Sequence, residues 1–153
     1  MNKPLLCFDL MARYATTIES ALPQVEAFAY MADFANARLW DPSVSEARRV
    51  GEAPLAIGSA FDLVARFGGR DVPLRYEIVE YDSPRRVVLE ARHPAFSSRD
   101  TITVEPAGNG SIVHYHATLA FDGIGRLLDP VIQRIFNRVG ARATLGMQTA
   151  LNP

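Results

Sequence analysis

The sequence predicts an α+β fold, a curved antiparallel sheet of about six to seven strands wrapped around one long C-terminal helix, with two short helices after the first strand. Three observations predict it. Between Ile124 and Leu151, apolar residues return in steps of three and four, at Leu127, Leu128, Val131, Ile132, Ile135, Phe136, Val139, Ala143 and Met147. That is the repeat of one helical face. Between Val44 and Phe121, short alternating segments follow one another with turn residues between them. That is the pattern of antiparallel strands with one wet face. The element order, finally, leaves only the last helix long enough to cover the dry face of the sheet.

Taken in order, residues 1–11 carry one Lys and a short apolar patch, without a signal-peptide core or cleavage site. They read as a leader or an extra edge segment. Arg13–Ser20 alternates and is rich in Thr, Tyr and Ile, so it reads as a strand. Pro23 suits the first turn of a helix whose apolar face is Val25, Phe28, Ala29, Met31 and Ala32, and Asp33 ends it. Phe34–Leu39 is a second short helix, stopped by Trp40-Asp41-Pro42.

The strands follow. Val44–Val50 leads to a loop over Gly51–Ile57 and a strand over Gly58–Phe67, with Phe61, Leu63, Ala65 and Phe67 on one face. Gly68-Gly69 marks a hairpin. Val72–Tyr81, Arg86–His93, Ser97–Glu105 and Ser111–Phe121 complete the set, divided by Asp82-Ser83-Pro84, His93-Pro94-Ala95 and the turn from Pro106 to Gly110. In the last helix, Asp129-Pro130 reads as N-cap and first helical residue, with Gly123–Leu128 as a lead-in. From Pro130 to Ala150 the helix is roughly 30 Å long. Gln133, Arg134, Asn137, Arg138 and Arg142 fill its opposite face. Gly140 and Gly146 do not help the helix itself, so they point to a close approach or to room for a ligand.

The chain has 153 residues, 48% hydrophobic and 22% charged, with a net charge of −1. One domain over residues 12–153 accommodates this, with a real core. The charge gives no pointer to nucleic acid. No apolar run approaches the ~20 residues of a membrane span. Cys7 is the single cysteine, so no internal disulfide forms; it reads as an inert thiol in the leader, and a cytoplasmic address fits.

Several local stretches add to the element order: Phe34 to Pro42 after the first helix, Gly58-Ser59-Ala60-Phe61, Asp100 to Pro106, and Leu127-Leu128-Asp129-Pro130. On these the chain resembles the START-like helix-grip superfamily (also called SRPBCC), in its polyketide cyclase/dehydrase and lipid-transport branch, from about Ala12 to Leu151. The resemblance implies a cavity between sheet and long helix that holds an apolar or aromatic small molecule. It implies no one activity, because the fold hosts cyclases, dehydratases, lipid carriers, hormone receptors and chaperone regulators.

The residues expected to line that cavity are Trp40, Phe61, Leu63, Phe67, Leu74, Tyr76, Leu89, Ile102, Tyr115, Leu119, Leu128, Ile132 and Phe136. The alternative reading is that they simply pack as core. Alternation places Tyr76, Tyr115, Ser98 and Asp100 on the dry face, with Trp40-Asp41 at the mouth. A buried Asp100 would need a partner or a raised pKa, and beside Tyr76 or Tyr115 it would be an acid/base candidate. The plainer expectation puts Asp100 near solvent at a strand end, paired with Arg99 or Arg92. His114 and His116 share a face at a spacing that can hold a metal, but that face is the wet one and nothing completes a ligand set, so no metal site is expected. His93 reads as an exposed turn histidine. Arg134, Arg138 and Arg142 read as a solvated helix face, with docking to anionic lipid as a minor reading. No Ser-His-Asp set, phosphate loop or carboxylate pair stands out, and no cofactor is expected.

The leading function is uptake of a hydrophobic or aromatic small molecule. One alternative is a cyclase or dehydratase using Asp100 and a Tyr. Another is an interaction module acting through the outer face of the sheet, which would have a collapsed cavity and an exposed apolar patch. Monomer and homodimer both remain open.

Overall fold

The computed structural model describes residues 10–121 and 129–153. Cys7, most of the expected leader, the lead-in over Gly123–Leu128 and the lining candidate Leu128 lie outside the described residues. Seven strands form one sheet: β1 (Leu10–Ser20), β2 (Val44–Val50), β3 (Ala60–Phe67), β4 (Arg70–Asp82), β5 (Arg86–His93), β6 (Phe96–Ala107) and β7 (Gly110–Phe121). Their order is β1-β7-β6-β5-β4-β3-β2, every neighbouring pair antiparallel. The helices are α1 (Gln24–Ala32), α2 (Ala37–Trp40), entered through a 3-10 turn over Phe34–Asn36, and α3 (Asp129–Ala150). The fold is the predicted α+β helix grip. β1 begins at Leu10, two residues inside the expected leader.

Alternation builds the two faces. Along β6, Ser98, Asp100, Ile102 and Val104 are buried while Ser97, Arg99 and Glu105 are exposed. The wet face is laced with cross-strand ion pairs. Asp62 takes both Arg48 and Arg75, its direct neighbours on β2 and β4. Glu80 takes Arg86 and Arg99. These exposed pairs set strand register more than they add stability. His114 lies on the same face, bonded to Thr17 and Glu105.

The dry face is shared between helices rather than covered by α3 alone. The core runs through Phe28 and Met31 of α1, then Phe34 and Trp40, onto Phe61, Ile78, Leu89 and Ile102 of the sheet. α1 packs on β6 and β7, and α3 on β1 and α2. The short helices hold much of the core because they carry its largest rings, which periodicity alone does not weigh. Val131, placed by periodicity on the covered side of α3, is 53% exposed. Gln133, placed on the wet side, instead satisfies the free edge of β1. It donates to the carbonyl of Arg13 at 2.9 Å and accepts from the same residue's N–H at 3.1 Å.

The C-terminal half of α3 is the part seated closely. A Cβ on Gly140 would overlap the ring of Tyr14, and one on Gly146 would overlap the backbone carbonyl of Trp40. Both glycines therefore mark close approach. The Tyr14 hydroxyl bonds Thr144 Oγ1 at 2.6 Å, beside Gly140. At the end of α3, Ser20 Oγ donates to the Leu151 carbonyl at 2.9 Å, and Asn152 Nδ2 donates to the Glu19 carbonyl at 3.0 Å.

Gly146→Ala tests this seating. Alanine raises helix propensity by about 1 kcal/mol. Overpacking against a backbone atom, which no rotamer can relieve, costs about 1–3 kcal/mol. The expected result is a net loss of about 1 kcal/mol in urea denaturation, whereas Leu145→Ala, at a side chain 64% exposed, changes stability by less than about 0.5 kcal/mol. A gain in stability for Gly146→Ala would refute the close approach.

Candidate ligand site

Between the sheet and α3 lies a cavity of about 100 Å³. Small residues create it. Ala65 and Ala117 on the sheet, Ala37 on α2, and Ala143 on α3 all stand in its wall, where larger side chains would meet. Most of the wall is apolar, from Leu63, Leu74, Leu119 and Val139 to the rings of Phe34 and Trp40. Half-buried Phe67, Phe96, Phe121 and Phe136 stand towards solvent with the exposed Arg66. Trp40 meets Tyr115 edge-on, with ring centres 5.5 Å apart, and Phe34 at 6.0 Å. His93 stacks on Phe96 at 4.7 Å, so it stands beside the wall as well as at a turn.

Polar groups form a row on the sheet. Tyr76 and Ser98 are on strands separated by β5, and the residue between them in register is Ala91. Its small side chain lets the Tyr76 hydroxyl reach across and donate to Ser98 Oγ at 2.9 Å. Ser98 Oγ in turn donates weakly to Asp100 Oδ1 at 3.5 Å. From β7, the Tyr115 hydroxyl donates to Asp100 Oδ2 at 3.1 Å. This corrects the expectation of a solvent-paired Asp100. β6 extends from Phe96 to Ala107, so Asp100 lies well inside the strand, 4% exposed, opposite Leu89 and Ala117. Arg99 points to the other face and pairs with Glu90 and Glu80.

Burial pushes the Asp100 carboxyl up to about 7, helped by the charge of Asp41, while the bonds from Tyr115 and Ser98 pull it back. Asp41, in the turn after α2, is raised by burial against the two bonds it accepts from Ser43. Tyr76 and Tyr115 are pushed well above their ordinary value by burial and then by Asp100, so both stay neutral donors. The arrangement can hold a proton at Asp100 near neutrality and offer it towards an oxygen in the cavity.

Of the sequence candidates, Trp40, Leu63, Phe67, Leu74, Tyr76, Tyr115, Leu119 and Phe136 stand in the cavity wall. Phe61, Leu89 and Ile102 do not. They share the dry face but are fully buried in the core with α1 and the 3-10 turn, where Phe61 packs edge-on against Phe34. Ile132 is half-buried but off the wall, which α3 enters one turn later at Phe136. The sequence reading missed Tyr14, Phe34, Val72, Phe96 and Phe121 as wall residues. Alternation from Ala12 and Ile18 would have found Tyr14, and the Leu74 face of β4 would have found Val72. Phe34 needed tertiary structure. Among the described residues, no group of three or more His, Cys, Asp or Glu could hold a metal ion, and no helix is long and apolar enough to cross a membrane.

A carboxyl raised from 3.8 to about 7 on folding binds more protons folded than unfolded within that window. Stability therefore falls as pH rises from about 4 to about 7, and levels off above it. The span is worth at most about 4 kcal/mol at about 1.4 kcal/mol per pH unit. Asp100→Asn, which keeps an acceptor for Tyr115 without the charge, should flatten most of this slope and be more stable than the unsubstituted protein at pH 8. Asp41, raised for the same reason, leaves a residual slope. Thermal unfolding between pH 4 and pH 8 measures it, and an unchanged slope would place the titration elsewhere.

A family model described as polyketide cyclase / dehydrase and lipid transport matches residues 11–151. No curated protein matches the chain in sequence. Among solved structures the chain is similar to the Zhui aromatase/cyclase from Streptomyces sp. R1128, with a TM-score of 0.73 at 10% identity over 92% of this chain and 93% of that one. It is also similar to a START superfamily protein from Mycobacterium smegmatis, with a TM-score of 0.72 at 11% identity, over 91% and 96% of the two chains. A third, the protein TTHA0849 from Thermus thermophilus, has a TM-score of 0.72 at 19% identity, over 92% and 96%. At these identities the likeness speaks to a shared fold alone. The family match over residues 11–151 shows that the chain belongs to the polyketide cyclase / dehydrase and lipid transport family.

Proposed function

We propose that this chain binds a small hydrophobic or aromatic molecule between the sheet and α3, with the domain over residues 12–153 as the binding unit. One observation carries the reading. The cavity is apolar, and its polar floor is a single hydrogen-bonded row, Tyr76–Ser98–Asp100–Tyr115, able to orient the oxygen of a guest. The volume limits what fits without rearrangement. An apolar cavity of about 150 Å³ takes benzene, so about 100 Å³ admits a single ring only if wall side chains move outward slightly. A ring burying about 150 Å² gains about 4 kcal/mol before the cost of association is met, so burial alone gives at best a Kd of about 1 mM. Tighter binding then requires hydrogen bonds to the row, or side-chain movement that lengthens the cavity.

A second reading has its own observation. Asp100 is held near 7 beside a neutral phenol donor, which is the pairing that general acid/base work on a poly-keto chain needs. The likeness to an aromatase/cyclase is compatible with it. Native mass spectrometry of freshly purified protein separates the two. A carrier retains an apolar or aromatic compound and leaves a poly-keto thioester unchanged. An enzyme turns the thioester over, and Tyr115→Phe and Asp100→Asn each lower that rate by about 100-fold or more with the fold intact. Protein that neither retains nor takes up any apolar compound would sink both readings.

A further inference from the structure

Three hydrogen bonds tie the polar row together, and three hydroxyl protons make them. Tyr76 donates to Ser98, Ser98 to Asp100 Oδ1, and Tyr115 to Asp100 Oδ2. With Asp100 ionised, every proton of the row is spent inside it, and only acceptor lone pairs are left for a guest. One more proton, on Asp100, leaves one donor over, because the three bonds still use three. That surplus donor is the carboxyl O–H itself, or the Tyr115 hydroxyl once the carboxyl donates to it. A single protonation therefore turns the row from an acceptor surface into a donor surface.

Asp100 Oδ1 is the acceptor with room. Its bond from Ser98 is 3.5 Å long, at the outer limit of a hydrogen bond, and it has no other partner among the described residues. The row also borders open space. Tyr76, Ser98, Asp100 and Tyr115 stand in the cavity wall, and Asp100 keeps 4% of its surface and the two tyrosines 7%, whereas Phe61, Leu89 and Ile102 on the same face keep 0%. Among the described residues, the other titratable groups of the wall are Tyr14 on β1, bonded to Thr144, Asp41 in the turn after α2, bonded to Ser43, and the exposed Arg66 on β3. On its covered side α3 brings to the wall Phe136, Val139, Gly140 and Ala143, none of them titratable. Glu26 and Tyr30 of α1, which packs on β6, and His93, stacked on Phe96, stand outside the wall. Glu90 and Arg99 pair on the opposite face.

We propose that Asp100 is the specificity-determining residue of the cavity: ionised, it selects a one-ring guest that brings an O–H or N–H donor, such as a phenol, and protonated, it selects one that brings only an acceptor, such as an aromatic aldehyde or ketone. This rests on the reading of the cavity as a ligand site. Burial holds Asp100 near 7, so the change of preference falls around neutrality.

Phenol, benzaldehyde and toluene, three single rings of similar size, test it by calorimetry at pH 5.5 and pH 8.5. Phenol itself ionises only near about pH 10, and toluene reports any change of the cavity that is not polar. From the lower to the higher pH, the preference for phenol over benzaldehyde should rise about tenfold or more, the usual worth of one hydrogen bond to a charged group. At pH 7, phenol should release protons on binding and benzaldehyde should take them up, as read from heats in two buffers of different ionisation enthalpy. Asp100→Asn, which carries amide donors at every pH, should show one preference at both. Tyr76→Phe removes one proton and one bond together, so the change with pH should survive it. A change that persists in Asp100→Asn overturns the assignment to Asp100. Should that variant fail to fold, the opposite signs of proton exchange in the unsubstituted protein still decide. A preference equal at both pH values, with toluene bound, overturns the inference and leaves the ligand site standing. Binding of none of the three overturns the ligand-site reading itself.

Discussion

The close seating of α3 on Tyr14 and Trp40 is the constraint on which the rest of the structure depends. Two glycines allow it, one against an aromatic ring on β1 and one against the backbone of α2. Their conformational freedom costs helix propensity. In exchange the helix axis comes down at its C-terminal half, where Ala143, Met147 and Leu151 are buried, and Ser20 and Asn152 tie its end to β1. Its earlier turns are less covered, and the cavity opens beneath them, walled by Phe136 and Val139. The hollow is therefore a consequence of where the helix is held, since one rod seated at one end cannot also fill the concave face of a seven-stranded sheet.

The same logic governs the sheet. Its dry face alternates large and small residues across the strands, and the small ones decide what the polar ones can do. Ala91 lets Tyr76 reach Ser98, and Ala117 leaves space beside Asp100. Burying a carboxyl costs stability unless it is bonded, and here two hydroxyl groups share that task without bringing a positive charge. A buried arginine partner would have held Asp100 ionised. Hydroxyl partners leave it poised between its two forms, a state suited either to gripping a guest's oxygen or to moving a proton.

The two readings of function thus share one site and differ in what happens after binding. The apolar wall and the neutral phenols are common to both. Volume bears on them equally, because a cavity of about 100 Å³ admits a longer molecule only if wall side chains such as Phe67, Phe96, Phe121 and Phe136 move. These rings are only half-buried, which makes them the physical candidates for that movement.

Much of the fold could be read directly from the chain, because period two and period 3.6 are properties of consecutive residues. Val44–Val50 and Arg86–His93 match the structure residue for residue, and alternation put Tyr76, Ser98, Asp100 and Tyr115 on one face. By itself the sequence determined element type, order and facing, since backbone geometry enforces these locally. Depth and distance were decided only by tertiary structure. Phe61, Leu89 and Ile102 share a face with Leu63, Leu74 and Leu119, yet only the second group reaches the cavity, because the first lies in the core beneath the short helices. Likewise nothing in the run from Ser97 to Thr101 shows whether Asp100 meets water or two hydroxyls. That depends on which strands and helices pack against it, and hence on partners far away in the chain.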